Sequence, residues 1–154
     1  MIITRADRSD AAEILVLQKV AYLSEAAIYN DYAIPPLTQT LEELADSFSR
    51  NTVLKAVEDG KIVGSVNGRM SKGRCLIGRL MVHPERQGRG IGAALMQAVE
   101  AAFPEASCYR LFTGERSDSN IRLYQKLGYR IFDRKEIPGS FAIVFMEKPA
   151  EHLP

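Results

Sequence analysis

Gly88, Gly90 and Gly92 stand at alternate positions between a strand-like apolar run and a helix-like one. No other feature narrows the fold as much. The stretch reads Leu80-Met81-Val82-His83-Pro84-Glu85-Arg86-Gln87-Gly88-Arg89-Gly90-Ile91-Gly92-Ala93-Ala94-Leu95. The run Cys75 to His83 predicts a strand ended by Pro84. A helix follows from about Gly90 to Phe103, with Ile91, Leu95, Ala98, Val99 and Ala102 along one stripe, and Pro104 stops it. The first N–H groups of a helix lack internal partners and sit at the positive end of its dipole. A glycine-rich turn feeding that end is an anion site, because the backbone can approach a phosphate closely. Arg86 and Arg89 add positive charge at its rim.

The rest of the chain supplies a mixed frame. Met1 to Arg5 reads as a short strand. Asp10 with Glu13, and Thr40 with Glu43, fit capping boxes. The first box opens a helix with Ile14, Leu17 and Ala21 on one face, expected to fray between Ser24 and Asn30. A Tyr- and Pro-rich loop then runs from Asn30 to Leu37. The second box opens a helix with Leu41, Leu44, Ala45 and Phe48 inward. Thr52 to Glu58 and Lys61 to Met70 are strands joined by Asp59-Gly60, a strong two-residue hairpin turn. Cys108 to Thr113 is a further strand. Ser117 is placed as the cap of a helix carrying Ile121, Tyr124 and Leu127 inward, with Gly128 as its C-terminal glycine. Tyr129 to Lys135 and Ser140 to Met146 read as a closing antiparallel pair. This order predicts an α/β (α+β) fold: a mostly antiparallel, twisted, mixed sheet of about seven strands with helices on both faces, in one domain spanning 1–154.

Composition excludes several classes of function. The formal net charge is +1, so bulk charge argues against a nucleic-acid binder. No stretch approaches the roughly 18 apolar residues of a membrane span. The N-terminal apolar run is too short for a signal peptide. Two cysteines, Cys75 and Cys108, make neither a disulfide framework nor a cysteine zinc site, and His83 and His152 are far apart. The expectation is a cytoplasmic protein without a metal, with both cysteines buried as packing. Its oligomeric state is unreadable, a homodimer being the default.

Three phosphate-binding turns compete for Gln87 to Ala93. A P-loop fails, because no Gly-Lys-Ser/Thr ending is present. The dinucleotide fingerprint matches loosely at Gly88, Gly90 and Ala93, but it expects a parallel βαβ start and here three meander strands come first. The third reading fits both the turn and its neighbours. Gln87, Gly90 and Gly92 resemble the Q/R-x-x-G-x-G/A cofactor motif of the GNAT superfamily of acetyl-CoA-dependent N-acetyltransferases. Asn120-Ile121-Arg122-Leu123-Tyr124-Gln125-Lys126-Leu127-Gly128-Tyr129 resembles that family's Leu-Tyr-x-x-x-Gly-Phe/Tyr helix.

The resemblance implies roles. The backbone of Met81 and Val82 should pair with the pantetheine arm of acetyl-CoA. The N–H groups of Gly88, Arg89, Gly90, Ile91, Gly92 and Ala93 should hold its pyrophosphate. Asn120 and Lys126 should serve the pantetheine and adenosine ends, and Tyr124 should sit near the sulfur as the catalytic acid. Direct attack of an amine on the thioester is the implied reaction. The acceptor would be a small molecule or a protein amine, and its pocket is sought at Tyr22, Glu25, Tyr29 and Tyr32 and in the turn Ile137 to Ser140. The chain departs from the family where a catalytic Glu is common, since the corresponding places hold Leu76 and Phe112. Glu25, Glu115 or a water relay remain for the base. A non-catalytic acyl-CoA-binding sensor on the same fold stays open as the alternative.

Overall fold

The computed structural model describes residues 1–151. His152 lies outside them. Seven strands form one sheet: β1 (Ile2–Arg5), β2 (Thr52–Glu58), β3 (Lys61–Ser71), β4 (Arg74–Val82), β5 (Cys108–Gly114), β6 (Arg130–Glu136) and β7 (Ala142–Pro149). Their spatial order is β1-β2-β3-β4-β5-β7-β6. Every neighbouring pair is antiparallel except β4 with β5. The mixed, mostly antiparallel sheet expected from the sequence is therefore present. Asp59 and Gly60 both take positive φ, 52° and 73°, which closes the β2–β3 hairpin with the twist that such turns favour.

Helices cover both faces. α1 (Ala11–Ala21) and α4 (Leu41–Ser47) lie on one face, where Ile14, Leu17 and Leu44 pack with Val53, Ile62 and Met81. α5 (Ile91–Ala101) and α6 (Asp118–Lys126) lie on the other, where Ile91, Leu95, Met96, Val99 and Tyr124 join Val66, Cys75, Ile77, Leu111 and Met146. Side chains such as Leu95, Val99 and Met146, all 0% exposed, each contribute about 1.5–3 kcal/mol by leaving water. Cys75 and Cys108 are buried free thiols, and burial pushes the Cys75 thiol up to about 12. That holds Cys75 as neutral packing.

Several local expectations need correction. The Asp10–Glu13 capping box does not form. Asp7 and Asp10 make the box, one turn earlier, around a short 3₁₀ turn at Arg8–Asp10. The Asp10 carboxylate also meets Lys55 Nζ at 3.0 Å, and Glu13 Oε2 accepts from the Ile62 amide at 2.8 Å, so tertiary partners claim both acids. The segment expected to fray is a second helix, α2 (Leu23–Tyr29), anchored by the fully buried Ala26 and ended by Asn30 at φ 50°. Within the expected loop, Pro35–Thr38 closes a helical turn, α3, with proline in its first positions, where a missing N–H does no harm. The Thr40–Glu43 box forms as read, with bonds of 2.9 and 3.1 Å. Ser117 stands at the start of α6 but makes no capping bond. Its hydroxyl is used elsewhere.

The strands β4 and β5 part company. They pair only at Cys75↔Tyr109 and Leu76↔Arg110. Beyond that point the β3–β4 register slips, and Arg79 takes φ 53° in the irregularity. An extra residue of this kind bends a strand and re-aims the side chains beyond it. The sheet thus opens between the C-terminal half of β4 and the outer end of β5.

Candidate functional site

The opening has one wall of free backbone. The His83 amide donates to Val63 O at 2.8 Å, and Met81 lies opposite Ser65 in the same ladder. Antiparallel strands alternate the side to which amides point. Met81 therefore turns its N–H and C=O to β3, while Val82 and Leu80 turn theirs to the gap. Of the two residues expected to face a pantetheine, the alternation favours Val82, with Leu80 in place of Met81. Tyr22 at the C-terminal end of α1 donates its hydroxyl to Leu80 O at 3.2 Å, so that carbonyl already has a partner.

At the end of this wall lies the glycine turn. His83 Nδ1 accepts from the Glu85 amide at 3.1 Å and closes a 3₁₀ turn at Pro84–Arg86, a structural duty for that histidine. Gly88 and Gly90 take φ 79° and 82°. Gly90 caps α5 with no side-chain bond to the helix, so the first amides of α5 have no side-chain partner. A Cβ at Gly90 would meet nothing within 4 Å. Bare amides, a helix N-terminus and open space in front of Gly90 fit a diphosphate. Gly92 and Ala93 continue the turn into α5, with Gly92 against Leu123 of α6. Gln87, Gly88 and Arg89 are placed at the mouth, where Gly88 and Arg89 are exposed. Arg86 Nε and Arg89 Nη1 both contact Glu58 Oε1, at 3.1 and 3.3 Å. The rim charge is thus shared with a carboxylate on β2 that sequence reading missed, because Glu58 lies about thirty residues before the turn.

Across the gap stands a cluster of tyrosines around one carboxylate. Glu25 Oε2 accepts from Ser117 Oγ at 2.5 Å and Glu25 Oε1 from Asn120 Nδ2 at 3.0 Å. Tyr29 Oη lies 2.8 Å from Ser117 Oγ and accepts from the Arg116 amide at 3.0 Å. The Tyr29 ring stacks on Phe141 at 4.0 Å and carries the Arg116 guanidinium above it. Tyr124 of α6 is 7% exposed, and burial first, then Tyr22 and Glu25, push its hydroxyl far above the ordinary tyrosine range. Tyr22 is pushed up to about 12 by burial, with Glu25 adding to the rise and Arg79 opposing it. Ser117 and Asn120 tie Glu25 to the start of α6, the helix of Tyr124, and the Tyr22 hydroxyl bonds at Leu80, beside Arg79.

The structure thus assembles three of the four residues sought for the acceptor: Tyr22, Glu25 and Tyr29. Glu25 and Tyr29 are joined through Ser117, Tyr22 bonds Leu80 O beside them, and Tyr32 is 57% exposed and takes no part in these bonds. Asn120 directs its amide nitrogen to Glu25 rather than to the gap. Lys126 is exposed at the far end of α6. Glu115 is gripped by Arg134 at 2.7 and 3.0 Å, and that pairing holds its carboxyl below the ordinary range. An acid already committed to a guanidinium is a poor base. A cavity of about 490 Å³ is lined by Tyr29, Glu115, Arg116, Arg134 and the turn 136–142, so the predicted turn Ile137 to Ser140 does border a cleft. No group of three or more metal-ligating side chains occurs among the described residues. No helix there is long and apolar enough to cross a membrane.

This packing sets two expectations. A methyl at Gly114 would collide with the Tyr29 hydroxyl. Gly114→Ala should displace Tyr29 from Ser117 and Arg116 and destabilise the fold by about 1–3 kcal/mol, measured by urea unfolding. The second concerns alkaline pH. Tyr22 titrates near 10 when unfolded and about 12 when folded. Between those values the unfolded chain sheds its proton first, so this stabilisation is intact below about pH 10 and falls as pH rises toward 12. Tyr22→Phe should flatten the loss of urea midpoint across that window.

A helix-flanked mixed sheet that opens beside a glycine-capped helix N-terminus defines a class of acyltransferase frame, and relatives share it. The profile described as "Acetyltransferase (GNAT) family" matches residues 16–129. The chain belongs to the GNAT acetyltransferase family. It is 30% identical over 120 residues to the UPF0157 protein YqkA of Bacillus subtilis (strain 168), covering 78% of this chain and 34% of that one. It is 35% identical over 98 residues to the uncharacterized N-acetyltransferase MJ1530 of Methanocaldococcus jannaschii, covering 58% of this chain and 62% of that one. The chain therefore spans between about a third and three fifths of these curated relatives. The PaiA N-acetyltransferase of Thermoplasma acidophilum, solved in complex with coenzyme A, shares the fold with a TM-score of 0.79 at 19% identity, over 97% of this chain and 100% of that one.

Proposed function

We propose that residues 1–154 form one acyl-CoA domain that moves the acetyl group of acetyl-CoA to an amine. The observation that carries this reading is the gap between β4 and β5, which ends at the bare amides of the α5 turn. Val82 offers unpaired backbone to a pantetheine, and Gly88 to Ala93 offer amides to a diphosphate. Asn120 and Lys126 are placed less directly: Asn120 supports Glu25, and Lys126 stands exposed on α6 for the adenosine end.

The chemistry follows from the tyrosine cluster. An amine of ordinary pKa is cationic at neutral pH, and freeing its lone pair costs roughly 4.6 kcal/mol. We assign Glu25 to hold the incoming ammonium and pass its proton to water. The neutral amine attacks the thioester carbon, a C–N bond forms, and the C–S bond breaks. The sulfur takes a proton from Tyr124 as it leaves, and the proton that the nitrogen sheds as the amide forms returns through water to the Tyr124 oxygen, so amide, thiol and neutral tyrosine result. Burial keeps that hydroxyl protonated across the working pH range, and with no hydrogen-bond partner among the described residues it is free to donate to the sulfur, the transfer being drawn on by the proton the nitrogen sheds. We assign the oxyanion to the Val82 amide, with the Val82 carbonyl left for the pantetheine. Two buried free thiols agree with a reducing cytoplasm.

Acceptor-dependent release of free thiol from acetyl-CoA, followed across a library of amines, tests the reading. Thiol released in step with acetylated amine supports it. Tight acetyl-CoA binding with no turnover across the library would instead identify a sensor built on the same frame.

A further inference from the structure

Arg79 takes no part in the acetyl transfer itself, yet its placement is unusual on three counts. It sits in the irregularity of β4 with φ 53°, a left-handed conformation that a non-glycine residue adopts only under constraint. Its side chain is part-buried, and Nη1 is buried without a hydrogen-bond partner. Among the described residues it forms no ion pair. A buried guanidinium nitrogen without a partner is costly, and a ligand acceptor would satisfy it.

The surroundings indicate which ligand. Tyr22 donates its hydroxyl to Leu80 O, beside Arg79, and Glu25 stands in the first turn of α2 just beyond Tyr22, so a positive and a negative group flank that tyrosine at the mouth of the gap. Glu25 accepts from Ser117 and Asn120 and makes no ion pair with Arg79. The phosphates of a carrier held at Gly88–Ala93 would lie beyond Val82, at the other end of the strand wall. The anion that meets Arg79 must then arrive with the acceptor.

We propose that the acceptor is an amine that also carries a carboxylate, and that Arg79 binds the carboxylate while Glu25 faces the amine. The proposal rests on the acetyl-transfer reading above and narrows its substrate class to amino acids and close relatives. A guanidinium presents a planar fork that matches a carboxylate, which lysine does not.

The test compares matched acceptors: amino acids, their amides and their decarboxylated amines. Thiol release gives kcat and KM for each, with acetyl-CoA affinity measured separately by calorimetry. The wild-type protein should favour the carboxylate-bearing member by about ten- to a hundredfold in kcat/KM, mostly through KM. Arg79→Met should erase that preference while acetyl-CoA affinity and turnover of the amides stay unchanged. Arg79→Lys should keep part of it. Equal kcat/KM within the matched sets of the wild type would overturn the proposal while leaving acetyl transfer intact. So would an Arg79→Met protein that binds acetyl-CoA normally and slows equally on all three members, since Arg79 would then serve the chemistry and not selection. No turnover with any amine, acetyl-CoA being bound, would overturn the acetyl-transfer reading and this proposal with it.

Discussion

Tyr124→Phe should lower turnover by about a hundredfold or more while acetyl-CoA binds as before. The substitution removes one oxygen from a buried ring and leaves its edge contact with Tyr129, at 6.0 Å between centroids, in place. The hydroxyl has no protein partner to strand among the described residues, so stability should change little. What disappears is the proton that the departing sulfur would take. Loss of kcat with unchanged carrier affinity is the signature of an interaction made in the transition state. Because Tyr124 stays protonated well above the ordinary tyrosine range, the wild-type rate should show no loss from its ionisation below about pH 10. A phenylalanine variant with wild-type turnover would remove Tyr124 from the chemistry.

Gly90→Val should weaken acetyl-CoA binding by at least about tenfold, or about 1.4 kcal/mol. Gly90 combines φ 82° with open space in front of it. A valine there meets no protein atom within 4 Å at its Cβ, so overpacking is not the problem. Two other effects are. The left-handed conformation costs a branched residue about 1–2 kcal/mol, and the side chain fills the space that a phosphate needs. Calorimetry with acetyl-CoA, beside a melting curve of the free protein, separates these effects. A large drop in affinity with a modest drop in Tm is expected. Wild-type affinity would show that the phosphates go elsewhere.

These two positions are also the most legible in the sequence, for local reasons. Glycines spaced at alternate positions between a strand and a helix announce their backbone demands directly. The α6 motif is local too: Gly128 at φ 100° ends the helix, and Tyr129 drops into the core with its hydroxyl donating to Glu100 at 2.8 Å. The strand meander and its turns are readable for the same reason. The features that stay hidden depend on distant partners. Ser117 looks like a helix cap, but its hydroxyl donates to a carboxylate ninety-two residues away. Asp10 and Glu13 look like a capping box, but Lys55 and the Ile62 amide hold them. Glu25 and Glu115 are equal candidates for the base in the sequence, and only the fold puts Arg134 on one and Ser117, with Tyr29 behind it, on the other. Arg79 gives no signal at all, since no local pattern marks a bulge whose register is set by β3.

If main-chain amides of the α5 turn and of β4 grip acetyl-CoA, amide NMR of the uniformly labelled protein will show it most directly on titration with that carrier. The largest saturable shifts should fall on Gly88, Arg89, Gly90, Ile91, Gly92, Ala93 and Val82, with Met81 shifting less. Saturable binding that leaves those amides unmoved, or no binding at all, would contradict that grip.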